Sequence, residues 1–140
     1  MAEFTNVALQ TVAVNQNVLF SDTPVRGGRC VDHREGSGLV TLRGITNQCY
    51  ARYKVTFGGN IAVATGGTAG AISLAIAING EAIPSTTMIE TPAAVGDFSN
   101  VFSAIFVEVA AGCCLSLSVR NTSDQAVDVQ NANLIVERVA

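Results

Sequence analysis

Apolar and polar residues alternate with a period of two through most of this 140-residue chain, and no segment keeps a convincing helical period. Period two places successive side chains on opposite faces of an extended strand. Over 71–78 (AISLAIAI), Ile72, Leu74, Ile76 and Ile78 share one face, and Ala71, Ser73, Ala75 and Ala77 share the other. Asn79-Gly80 follows at once. Both residues accept positive φ, which predicts a tight hairpin into a return strand at 81–83, limited by Pro84. Over 51–63, Tyr53, Val55 and Phe57 alternate with Arg52, Lys54 and Thr56, and Gly58-Gly59 predicts a bulge or a close backbone approach. Over 100–109, Phe102, Ala104 and Phe106 occupy one face while Val101, Ile105, Val107 and Val109 occupy the other. Both faces are apolar, so this strand is expected to be buried on both sides. Further strands are expected at 7–14, 17–20, 39–43, 114–119 and 133–139. About eight to ten short antiparallel strands without a linker predict a single all-β domain over 1–140, with 1–16 as an N-terminal strand or arm; the choices are a jelly-roll sandwich or a barrel.

Composition narrows the function. Apolar residues make up 49% of the chain and charged residues only 14%, which excludes a disordered tail. Eight basic residues stand against eleven acidic ones, for a formal net charge of −3, and the seven arginines and one lysine form no stripe that could track phosphates. No nucleic-acid partner is therefore expected. No apolar run approaches the roughly 18 residues of a spanning helix, so no membrane insertion is expected. Met1-Ala2-Glu3-Phe4 carries neither a basic nor an apolar leader region, so no export signal is expected. So little charge with so many small apolar residues predicts an obligate oligomer, because buried contacts are depleted in charge.

The chemistry-bearing residues form no familiar site. Cys30, Cys49, Cys113 and Cys114 include no C-x₂-C pair, and His33 is the one histidine, so no metal or cofactor is expected. The cysteines are expected to be four small buried hydrophobes in a reduced cell. Asp32-His33-Arg34-Glu35 is the densest polar cluster, but no G-x-S-x-G elbow supplies a nucleophile, so no catalytic residue is assigned and the protein is expected not to be an enzyme. The stretch 66–70 (GGTAG) lacks the lysine of a phosphate loop and precedes a strand. Asp97, Asp124 and Asp128 lack calcium-loop spacing, and Asn121-Thr122-Ser123 reads as a turn.

Several segments, taken in order, resemble a known family. Asn17-Val18-Leu19-Phe20 resembles its early asparagine-then-hydrophobic strand. The stretch 49–57 (CYARYKVTF) resembles its G-x-Y-x-hydrophobic-x-aromatic strand, with Cys49-Tyr50 in place of the usual glycine region. The stretch 74–80 (LAIAING) resembles the strand that ends in Asn-Gly. Within 98–119, VEVAAG resembles the hydrophobic-x-L-x-x-G-D-x-hydrophobic segment, with Cys113 where an acid is common, and 134–138 (LIVER) closes the pattern. Over 17–139 the chain is similar to the complement-globular-head/tumour-necrosis-factor jelly roll, in particular to versions that cap collagen-like bacterial surface proteins and that occur among phage structural proteins.

The resemblance implies a non-catalytic homotrimer of jelly-roll protomers. The absence of a Gly-X-Y stalk moves the expectation to a free-standing trimer on a phage or prophage particle, either head decoration or short fibre tip, assembled in the host cytoplasm. The partners implied are the chain itself, capsid or other virion proteins, and host surface glycans. The alternative is a lectin-like trimer on a bacterial cell or spore surface. Candidate interface residues are Phe102, Ala104 and Phe106, and also Tyr53 and Phe57; period two alone leaves open which face lines the axis. The loops 26–38, 66–70 and 84–98 are candidate contact surfaces, with Arg29, Asp32, His33, Arg34 and Glu35 as the partner-contact positions of the first.

Overall fold

The computed structural model describes residues 1–45, 47–112 and 114–140. Among them, twelve strands and one 3₁₀ turn (Pro84–Thr86) make two antiparallel sheets. The first contains β1 (Ala2–Asn6), β2 (Gln10–Val12), β3 (Asp22–Val25), β6 (Tyr50–Val63), β10 (Ser99–Ala110) and β12 (Val127–Arg138), in the order β10-β6-β12-β1-β3 with β2 on the end of β12. The second contains β4 (Val31–His33), β5 (Val40–Arg43), β7 (Ile72–Ile78), β8 (Glu81–Ala82), β9 (Met88–Glu90) and β11 (Cys114–Asn121), in the order β4-β5-β11-β7-β8 with β9 on β7.

Alternation explains how the sheets close on each other. Phe4, Tyr53, Val55, Phe57 and Leu134 of the first sheet meet Leu42, Leu74, Ile76 and Leu117 of the second, and all are buried. Fully burying one such side chain stabilises by about 1.5–3 kcal/mol, so this layer is the main cohesive element. The Asn79-Gly80 turn has φ of 53° and 83°, the mirror-image turn that suits a two-residue hairpin, and it joins β7 to β8 as the sequence predicts.

Several expectations are corrected. The bulge expected at Gly58-Gly59 occurs in the pairing there but on the partner strand: β6 itself runs unbroken, and β12 shifts register between Gln130 and Asn133, opposite Gly59, with Asn131 at φ 57°. Residues 17–20 form no strand beyond an Asn17–Arg120 bridge, yet Val18 and Phe20 are fully buried. Their backbone is held instead by bonds to the Val119 and Ser37 carbonyls, and Phe20 packs edge-on against Phe57 with ring centroids 6.4 Å apart. Within 7–14 only Gln10–Val12 is a strand. β1 alternates Ala2 and Phe4 inward with Glu3 and Thr5 outward. The expectation of four buried cysteines does not hold: Cys30 is half-buried, and Cys49 and Cys114 are exposed because they flank strand ends. Cys113 lies outside the described residues.

Candidate interaction surface

The outward face of the first sheet is a set of cross-strand rows. Glu108 opposes Arg52; Phe106 opposes Lys54, which opposes Glu137; Ala104 opposes Thr56, then Ile135 and Glu3. Next come Phe102, Gly58, Asn133 and Thr5, and then Asn100 and Asn60. β10 is one edge strand of this sheet, and its burial alternates strictly. Val101, Val107 and Val109 face the core, while Phe102 and Phe106 are 66% and 68% exposed with the exposed Ala104 between them. In the protomer this strand is thus buried on one side, not both. Arg52 and Glu108 form an ion pair at 3.3 Å, both ends well exposed, so it contributes little to stability.

Tyr53 and Phe57 belong elsewhere. Both are 0% exposed, because the opposing sheet covers the face on which they stand. This corrects their place among the interface candidates, since a side chain enclosed by its own protomer has no surface left for another copy.

The far end of the same face carries a groove of about 300 Å³ between β10, β6 and β12. Gly58 forms its floor: a Cβ placed there would meet no atom closer than the Val101 carbonyl oxygen at 3.9 Å, so any side chain would fill the hollow. Its rim is made of carboxamides. Asn100 Nδ2 donates to Asn60 Oδ1 at 3.2 Å, and Asn60 Nδ2 donates to Asn131 Oδ1 at 3.3 Å. Asn133 Nδ2 donates to the Glu3 carboxylate at 2.9 Å. Phe102 closes the β10 side. Sequence reasoning missed these four asparagines. The available signal was that Asn60 and Asn100 share parity with the outward residues of their strands, but their meeting depends on pairing register.

The polar stretch 26–38 is not a free loop throughout. It contains β4, with Val31 buried. Arg29, Asp32, Arg34 and Glu35 are exposed and His33 is half-buried. Asp32 pairs with Arg43 at 3.3 Å, and both are solvated. His33 lies against Phe4, with ring centroids 4.6 Å apart, and its Nε2 is 2.8 Å from the Ser37 carbonyl oxygen, so that nitrogen carries the proton. Its Nδ1 is enclosed and has no hydrogen-bond partner among the described residues. Glu35, His33 and Arg26 line a cleft of about 280 Å³. Among the described residues, no three His, Cys, Asp or Glu side chains converge as metal ligands, and no helix is long and apolar enough to cross a membrane.

No protein-family model matches the chain, and no curated protein matches it in sequence. Solved structures do match in fold. The Eiger TNF from S. frugiperda superposes with a TM-score of 0.71 at 16% identity, covering 99% of this chain and 91% of that one. Murine APRIL at pH 5.0 gives 0.67 at 11% identity over 99% and 98% of the two chains. The globular domain of zebrafish complement 1qA gives 0.62 at 10% identity over 96% and 94%. The two-sheet arrangement is therefore the jelly roll of these domains.

Proposed function

We propose that this chain, built on the jelly roll seen in tumour-necrosis-factor and complement-1q domains, is a non-enzymatic homotrimeric module. We place it on a phage or prophage particle, as a head-decoration knob or the tip of a short fibre. One observation carries the oligomeric part: Phe102 and Phe106, each about two-thirds exposed, stand on one face of one edge strand. Exposed aromatic pairs flanked by charge mark contact surfaces. Each Phe transferred from water into a contact contributes about 1.5–3 kcal/mol, and every added copy repeats the gain.

The rest of the face suits a second copy. A three-fold contact is heterologous, so different parts of the surface meet. Arg52 and Lys54 at one end and Glu3, Glu108 and Glu137 around them give both signs of charge on a single surface, which lets copies pair without accumulating one sign. The exposed Arg29, Asp32, Arg34 and Glu35 lie in the other sheet's 26–38 region, leaving them for capsid proteins, other virion proteins or host-surface glycans.

The placement on a particle rests on the resemblance over 17–139 and is tested directly. Mass spectrometry of purified particles should detect the chain, and negative-stain images of the purified protein should show three-lobed knobs. Detection on a bacterial cell or spore surface instead would assign the same module a lectin-like role there. Absence from every particle preparation contradicts the virion assignment.

A further inference from the structure

We infer that the asparagine-lined groove is completed by a second copy of this chain, and that its carboxamides set the register and number of copies that associate. The inference rests on reading this sheet face as the contact between copies and adds what makes that contact specific.

The rim amides have a direction. Asn100 donates to Asn60, and Asn60 donates to Asn131, so the three amides form a relay with unlike ends. At one end Asn100 Oδ1 is an acceptor, and at the other Asn131 Nδ2 is a donor; neither has a protein partner among the described residues. The bulge in β12 that holds Asn131 at φ 57° sets it out of the regular ladder, where the register between Gln130 and Asn133 breaks. A relay with a donor end and an acceptor end fits head to tail against a copy of itself. It is also uncharged, so it can be covered without stranding an ion.

The phenylalanines cannot perform this task. Apolar contact is non-directional, and Phe102 and Phe106 can pack in more than one register. Amides are directional, and covering them with the wrong alignment leaves donors and acceptors unpaired. Selection against wrong arrangements is work that polar groups covered at a contact between copies perform.

The test is Asn131→Asp. This change keeps an oxygen to accept from Asn60, and aspartate also tolerates positive φ. It replaces the outward donor with a charged acceptor facing the neighbour's Asn100 oxygen. Sedimentation should show the dissociation constant at pH 7 raised by about 100-fold or more, with recovery at about pH 4, where the introduced carboxyl takes up a proton. The far-ultraviolet circular dichroism should not change.

A second variant, Asn60→Leu with Asn100→Leu, guards against a folding failure of the first. It should still associate but spread over several stoichiometries by native mass spectrometry. Asn131→Asp associating as tightly as wild type at pH 7 overturns the inference, as does a uniform trimer from the leucine pair. Unchanged association with loss of neutral-oligosaccharide binding on a glycan array also overturns it and makes the groove a sugar site. A wild-type monomer removes both this inference and the oligomeric reading, whereas a wild-type trimer with an indifferent Asn131→Asp removes this inference alone.

Discussion

The Tyr53 hydroxyl donates a 2.6 Å hydrogen bond to the Arg43 carbonyl oxygen, and the two residues belong to opposite sheets. Tyr53 stands on β6 and Arg43 ends β5, so this polar contact helps pin the layers together at one edge of the core. The Cys30 carbonyl lies 3.4 Å from the same hydroxyl. A large aromatic ring can be fully enclosed here because its one polar atom has a partner.

Tyr53→Phe should lower the stability of the fold by about 1–2 kcal/mol, since it leaves the Arg43 carbonyl short of a donor. A pH dependence accompanies it. Burial first, and then the neighbouring Cys30 thiol, push the Tyr53 hydroxyl up from 10.0 to about 12. The folded value lies above the unfolded one, so this stabilisation is intact below pH 10 and is lost as pH rises toward 12. Urea midpoints measured across that window should fall for wild type, and the Phe variant should lack this component of the fall.

Phe57 and Phe102 have the same side chain and opposite roles. Phe57→Ala should destabilise the protomer by about 3–5 kcal/mol through a core cavity. Phe102→Ala should change protomer folding by less than about 0.5 kcal/mol, because its ring is mostly in water there. Hydrogen exchange of the β6 amides separates the two. Phe57→Ala accelerates exchange throughout β6, and Phe102→Ala leaves the core pattern intact while weakening association.

Asn121 is buried at 0% exposure, and its amide nitrogen donates to the Val12 and Gln125 carbonyls, both at 3.0 Å, while its oxygen accepts from the Ser123 N–H at 2.9 Å. It ties the end of β11 to β2 and to the turn before β12. Asn121→Ala should cost about 2 kcal/mol or more, because it strands buried backbone groups. Denaturant titration measures this, with Asn79→Ala not a suitable control because Asn79 sits at positive φ.

Gly44→Ala should be among the most damaging small changes. A Cβ there would run into the Ala110 carbonyl oxygen, so the strand ends of β5 and β10 would have to separate. Overpacking of this kind costs about 1–3 kcal/mol or more. Gly28→Ala is the matched control, with nothing within 4 Å of the new atom, and its melting temperature should stay at the wild-type value.

Much of this architecture was legible from parity. The odd-numbered residues of β10 face the core and its even-numbered ones face outward, as the 100–109 pattern divides them, although the pattern alone does not say which set is which. The companions of each set decide it. Arg52 and Lys54 mark the even face of β6 as outward, which puts Tyr53 and Phe57 inside; Asn100 and Glu108 mark the even face of β10 as outward, which exposes Phe102 and Phe106. Short strands were not legible. Val31–His33 is three residues long within a polar, glycine-rich stretch, too short to display a period, and its pairing to β5 creates it. Val18 and Phe20 are apolar because they fill the core from a connection, so their character suggested a strand that the backbone does not form. The amide groove was hidden for a different reason: Asn60, Asn100 and Asn131 are far apart in the chain, and only the register of three strands and the β12 bulge brings them together.

The mass of the purified protein in solution, measured by light scattering at micromolar concentration, is the most direct test that the Phe102–Phe106 face joins copies. A particle of about three times the 14.5 kDa chain is expected, and a single chain or an aggregate when Phe102→Asp and Phe106→Asp are combined. A wild-type protein that stays at 14.5 kDa, folded and stable, contradicts it.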